Sequence, residues 1–247
     1  MADVPTLPAA VGGGAALSPL AVREVLGRLP LFSHLGPEQV ALVQAGTRQR
    51  RLSRGEVLFH AGEPCAAFFC VVTGQVKLTL SGSDGTEKVL EIISAGETFG
   101  EAVMFAGRPY PVSATALLDS VLLTIESAVV LELVARDPMF ARRMLAGMSV
   151  RLHTMINDLE SISLRTGTQR VVGLLLGLAG ERAGSGPVTV TLPAGKAVLA
   201  SRLNLTPETF SRSLRELSAA DLIAVRGRRI TLLDPTGLGT AAGTGPV

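Results

Sequence analysis

Tryptophan is absent and tyrosine occurs once, at Tyr110. That argues against aromatic stacking on unpaired bases as a main binding mode. Two cysteines, Cys65 and Cys70, are too few for a four-thiolate iron–sulfur centre within one chain. They make no disulfide framework either, which points to a reducing compartment and a cytoplasmic protein. No motif pairs a nucleophile with a base, and there is no phosphate loop or metal-spaced cluster, so an enzyme is not expected. No apolar run is long enough to span a bilayer, so no membrane partner is expected. The first twenty residues, MADVPTLPAAVGGGAALSPL, lack an early basic region and do not read as a signal peptide.

The 247 residues, 47% hydrophobic, suffice for two small domains and a connector. A formal net charge of +2 conceals an asymmetry. Residues 165–232 hold ten Lys/Arg and four Asp/Glu, a net +6, so the remainder is −4. A basic module inside a near-neutral chain is the electrostatic footprint of phosphate binding.

Within that module, KAVLASRLNLTPETFSRSLREL (196–217) reads as helix, turn, helix. Asn204 tolerates the left-handed conformation of a sharp helix end. Thr206 is an N-cap, and Pro207 suits the first helical position. Phe210, Leu214 and Leu217 then form the buried stripe. Glu208, Ser211, Arg212 and Arg215 fall on other faces. Glu accepts from cytosine N4 and Arg pairs with guanine O6 and N7, so Glu208, Ser211 and Arg212 are the candidate base contacts. The bland alternative is an ordinary helical hairpin with a charged face. Against it stands the hairpin that follows, Asp221–Arg226 and Arg229–Leu233 around Gly227, a wing bearing Arg226, Arg228 and Arg229. Candidate phosphate contacts are Lys196, Arg202, Thr206, Thr209, Arg228 and Arg229.

Upstream the pattern is different. Residues 21–36 and 37–47 suggest short helices. From Arg48 to about Ser127, β-forming runs (56–60, 67–72, 75–80, 88–93, 113–117, 120–125) alternate with glycine turns, which predicts a small antiparallel barrel or roll. Pro138 opens a helix to about Leu164. Its apolar residues Leu145, Met148, Leu152, Met155, Leu159 and Ile162 make an a/d seam. One face packed on its own domain is the alternative, but a helix this long between two domains predicts a parallel homodimer. A dimer would place two base-reading helices one DNA turn apart, on a palindromic double-stranded operator. The expected fold class is α+β, with a disordered lead-in (1–20), an antiparallel β-roll sensor (21–135), a dimerisation helix (136–166), a winged helix-turn-helix (167–234) and a flexible tail (235–247).

This combination resembles the Crp/Fnr family of bacterial transcription regulators over roughly residues 29–233. Its marks are Leu31-Phe-Ser-His-Leu, Phe99-Gly-Glu and the Thr206–Arg212 helix start. Phe99-Gly-Glu-Ala-Val-Met-Phe, Arg151-Leu-His, Leu159-Glu-Ser-Ile-Ser-Leu and Pro207-Glu-Thr-Phe-Ser-Arg are similar to the Dnr branch, the haem-linked nitric oxide regulators. The resemblance implies a TTGAT-N4-ATCAA-like site, because Glu208, Ser211 and Arg212 match the Fnr-type Glu-x-x-Ser-Arg pattern. It also implies RNA polymerase as a partner. The family's cyclic-nucleotide sites use Gly-Glu and, further on, Arg-Ser/Thr, the Arg clamping the cyclic phosphate. Gly100 and Glu101 are retained, but the Arg place falls on Pro111 and the next on Val112. A charged bidentate contact is thereby lost, and cyclic AMP is not expected, with Arg108 the alternative clamp. The base-facing hydroxyls of the central helix correspond to Met155 and Ile156. The N-terminal cysteines of the Fnr-type iron–sulfur cluster are absent.

Haem is the cofactor implied by the Dnr resemblance, in a sensor pocket of Gly100, Glu101, Met104, Phe105 and Arg108, with Met144, Met148 and Met155 nearby. An axial ligand is commonly His, which leaves His34 or His153; the His pair of some Dnr proteins falls on Leu29-Pro30. Methionines on a heptad seam are otherwise core filler, and the histidines surface or capping residues. A Crp-like regulator of another small ligand, or the effector-binding module of an enzyme or channel, are the competing readings.

Overall fold

The computed structural model describes residues 17–29, 32, 34–82, 85–182 and 186–241. Residues 1–16 of the predicted lead-in, 242–247 of the tail, Leu31, Ser33, Ser83 and Asp84 lie outside the described residues. The chain divides into two compact units, parted between His153 and Thr154.

The first unit opens with α1 (Pro19–Arg28) and α2 (Pro37–Ala45), both with proline in the first turn. Then come β1 (Thr47–Leu52), β2 (Val57–Phe59), β3 (Ala67–Thr73), β4 (Gln75–Ser81), β5 (Glu87–Ser94) and β6 (Thr98–Phe99). A short α3 (Glu101–Ala106), β7 (Ser113–Ala116), β8 (Ser120–Glu126) and α4 (Ser127–Arg136) complete it. The strands form two four-stranded sheets, ordered β1-β8-β3-β6 and β2-β7-β4-β5, and every pairing is antiparallel.

Strand β3 explains the layering. Successive strand residues face opposite ways, and here both sides are covered. Phe68, Cys70 and Val72 join Val25, Leu26, Phe32, Val43, Val130, Leu133, Phe140 and Met144 in a core under the helices. Ala67, Phe69 and Val71 join Phe59, Val76, Leu78, Phe99, Tyr110 and Leu122 in the roll interior. A strand covered on both faces reads as an unbroken apolar run, which is how AFFCVV reads. Gly74, at φ +88°, turns β3 into β4 where a Cβ would sit 2.2 Å from Ser120 Oγ. Only glycine meets both demands.

α5 (Pro138–Leu164) has the predicted bounds. Its start is fixed by Asp137, whose carboxylate accepts from the Met139 N–H (2.8 Å) and from Gln39 Nε2 (3.1 Å). Its first turns bury Phe140 and Met144 in the core under the helices.

The second unit contains α6 (Gly167–Ala179), a 3-10 turn (Gly180–Arg182), β9 (Val188–Thr191), α7 (Lys196–Arg202), α8 (Pro207–Ala219), β10 (Ile223–Arg226), β11 (Arg229–Leu232) and α9 (Pro235–Ala241). Its sheet runs β10-β11-β9. The expectation of a flexible tail from 235 is corrected over its first seven residues: α9 is helical and Leu238 is fully buried. Burial of one leucine holds a Gly-rich stretch that has little helix propensity of its own. No described helix is long and apolar enough to cross a membrane.

Candidate nucleic-acid interface and effector site

The α7–α8 turn forms as its residues dictate. Asn204 adopts φ +57°, and the Leu205 N–H donates to Ala200 O at 2.9 Å. Ala200 is fully buried, so a larger side chain there would force the helices apart. Thr206 caps α8 by accepting from the Thr209 N–H, and its hydroxyl donates to Thr209 Oγ1. Phe210, Ser213, Leu214 and Leu217 form the buried face. Glu208, Arg212 and Arg215 are exposed and Ser211 is half-buried. Arg212 Nε lies 3.9 Å from Glu216 Oε1, and Arg215 Nε donates to Ser211 O. Lys196 is exposed on the first turn of α7, while Arg202 and Thr209 are half-buried.

In the wing, Arg226 and Arg229 stand directly opposite one another, both exposed, across a turn where Gly227 takes φ +63°. Like charges at facing positions of an antiparallel pair are destabilising. Arg228, exposed like Arg226 and Arg229, also bonds to backbone carbonyls. Its Nε and Nη2 donate to Leu192 O (3.0 and 2.7 Å), and Nη2 also to Pro193 O (2.7 Å). The guanidinium fastens the wing to the β9–α7 loop.

The expected sensor residues sit at the start of α3, along it and just after it. Gly100, at φ +94°, starts α3, and Glu101 Oε1 accepts from Thr98 Oγ1. Met104 is buried in the core under the helices. Phe105 is 36% exposed and Arg108 is exposed. A six-residue helix turns successive side chains through about 100° each, which parts Met104 from Phe105. Pro111 is exposed and Val112 half-buried. The roll interior itself holds an aromatic stack that sequence reasoning passed over. The Tyr110 ring lies 3.8 Å from that of Phe59, and Phe69 is stacked with Phe59 and Phe99. Tyr110 donates its hydroxyl to Ala67 O at 2.6 Å. Burial, then its neighbour Cys65, pushes the phenol well above its ordinary range. Burial, and secondarily Glu101, pushes the Cys70 thiol up to about 12. The signal for the stack was available: the one tyrosine sits between Pro109 and Pro111, just before a strand.

His34, His60 and His153 are all exposed, on the α1–α2 connection, after β2 and on α5. An axial ligand to haem is commonly His; neither His34 nor His153 is enclosed by the single chain, so the structure assigns haem no axial ligand. Along α5, Leu145, Leu152, Met155 and Leu159 are each more than 60% exposed, and Met148 and Ile162 half-buried.

The cyclic nucleotide-binding domain family matches residues 49–137, and the Crp-like helix-turn-helix domain family matches residues 169–241. The cyclic AMP receptor protein of Thermus thermophilus is 30% identical over 217 residues, covering 86% of this chain and 98% of the relative. FixK2 from Bradyrhizobium japonicum shares the fold with a TM-score of 0.71 at 22% identity, covering 81% of this chain and 98% of that one. DNR from Pseudomonas aeruginosa is 33% identical, with a TM-score of 0.50, covering 92% of this chain and 99% of that one. With a cyclic-nucleotide-binding-type β-roll ahead of a Crp-like helix-turn-helix, and a full-length relative at this identity, the chain belongs to the Crp/Fnr family of DNA-binding transcription regulators, which are not enzymes.

Proposed function

We propose that the chain acts as a homodimer on a TTGAT-N4-ATCAA-like palindrome. Glu208, Ser211 and Arg212 read base edges, and Lys196, Arg202, Thr206, Thr209, Arg226 and Arg229 hold phosphates. The observation that carries this reading is the α8 face. Behind a proline-started, threonine-capped first turn, Glu208 and Arg212 stand exposed one turn apart, opposite a stripe containing Phe210 and Leu214. A bidentate Arg–guanine contact and a Glu–cytosine contact discriminate bases. The facing Arg226 and Arg229 supply charge without sequence information. The α5 seam pairs two copies, and two-fold symmetry matches the palindrome. RNA polymerase is the further partner expected of such a regulator.

The effector reading is non-cyclic-nucleotide. Pro111 stands at the phosphate-clamping position and offers no charge there. Nitric oxide sensed through haem is the signal that the Dnr likeness suggests, with no axial ligand assigned among the three histidines. Two measurements test the whole. Mobility shifts compare the palindrome with versions altered in one or both half-sites. Titrations with cyclic AMP, and with haem followed at the Soret band with and without nitric oxide, precede each shift. Equal affinity for palindrome and random duplex overturns the DNA reading. Tightening by cyclic AMP overturns the effector reading.

A further inference from the structure

One carboxylate on α8 meets both its own helix and α6. Glu216 Oε1 lies 3.9 Å from Arg212 Nε, and Glu216 Oε2 accepts from Thr168 Oγ1 at 3.4 Å. Thr168 belongs to the first turn of α6 and also shares a 3.0 Å hydrogen bond with the hydroxyl of Ser213, which is buried on the inner face of α8. The neighbouring Gly167 marks the closest approach. A Cβ there would lie 3.1 Å from Leu205 Cδ2 and 3.5 Å from Thr209 Cγ2. The start of α6 is thus held to α8 by close packing, a part-buried hydroxyl pair and Glu216.

We infer that Glu216 is a positioning residue for base discrimination, bridging the α6 N-terminus to the Arg212 guanidinium. The inference rests on Arg212 being a base reader. Stability does not account for the pair, because its side chains are 64% and 56% exposed and exposed ion pairs contribute little. General DNA affinity does not account for it either, because a carboxylate on the DNA-facing helix repels phosphate. Specificity accounts for both facts. Arginine has a long, rotamer-rich side chain, and restraining it near its reading position reduces the ordering needed on binding. The same carboxylate penalises any sequence that fails to engage Arg212, a repulsive element of the kind discrimination requires. Only Arg165 and Thr166 separate α6 from α5. A displacement of the α6 start therefore alters the hold on Glu216, and through it Arg212.

The test measures affinity for the palindrome, for the same duplex changed at the guanine position, and for random duplex. The proteins are the full chain and its Glu216→Gln, Arg212→Ala, Thr168→Val and Glu216→Gln/Arg212→Ala variants, each with its thermal midpoint recorded. Glu216→Gln is expected to lower the ratio of correct to altered site by about two- to fivefold. Its affinity for random duplex stays equal or tightens, and it has no further effect once Arg212 is alanine. Thr168→Val lowers the ratio in the same direction; an unchanged ratio there overturns the α6 limb of the inference. If Arg212→Ala flattens discrimination while Glu216→Gln preserves it, the positioning role is overturned and the base-reading role stands. If Arg212→Ala itself leaves discrimination intact, the reading beneath the inference is what fails.

Discussion

Truncating Leu152 to alanine probes the α5 seam most directly. Leu152 is 61% exposed in the single chain, between Met148 and Met155 on the same stripe. Full burial of a leucine side chain contributes about 2 kcal/mol, so covering the exposed part contributes about 1 kcal/mol per protomer. Two-fold symmetry removes the contact twice, for about 2 kcal/mol. The cavity left between two helices raises the loss toward about 4 kcal/mol. At about 1.4 kcal/mol per decade, the dimer dissociation constant should rise roughly 30- to 1000-fold. Sedimentation velocity over a concentration series measures it, with helicity by circular dichroism as the folding control. Binding to a palindrome should weaken while binding to an isolated half-site persists. A folded variant with an unchanged dissociation constant would refute the seam as the dimer interface. A lone helix face packed on its own unit would behave that way.

Arg212→Ala should lose about 1–3 kcal/mol on the specific site and flatten discrimination at one base pair; equal losses on specific and random duplex, by titration, would remove it from the base readers. Arg229→Ala should reduce the slope of log affinity against log salt by about 1. Arg228→Ala should leave that slope intact and lower thermal stability, by about 1–2 kcal/mol from hydrogen bonds of a charged donor to Leu192 and Pro193. Thr206→Ala should destabilise the second unit by about 1 kcal/mol through loss of the α8 cap, read by denaturant melts. Hydrogen bonds from Gln39 first, then from the backbone, hold the Asp137 carboxyl below its ordinary value. A lowered folded pKa gives stability that is complete above about pH 4, the unfolded value, and lost as pH falls through the folded one. Asp137→Asn should therefore flatten the acid limb of the melting curve below about pH 4.

Legibility followed how much each residue depends on its own neighbours. α5 begins at Pro138 and runs the length of the heptad count, because capping and periodicity are local. Asn204, Thr206 and Pro207 likewise behave as short-range chemistry dictates. β1 escaped notice because it sits at a sheet edge, and of its six residues only Leu52 is buried. TRQRRL therefore carries little apolar alternation. α4 was missed because SAVVLELVAR mixes β-branched residues with helix formers, and packing on the core through Val130 and Leu133 decides. Within the site, identity was readable and direction was not. Arg228 found the carbonyls of Leu192 and Pro193, and Met104 and Phe105 parted company. Both outcomes depend on carbonyls and cores contributed by distant segments.

Strand β3 carries a last consequence. It is a party wall one residue thick: even-numbered side chains furnish the room under the helices, and odd-numbered ones the room with the aromatic stack. Neither room can be redecorated without the neighbours hearing it. A swelling at Phe69 is felt at Phe68 and Cys70, whose side of the wall also holds Phe140 and Met144 of the long helix. A point-by-point scan along the strand would therefore report on two compartments in strict alternation, and the tempo of that alternation would measure how much of one room's news reaches the other.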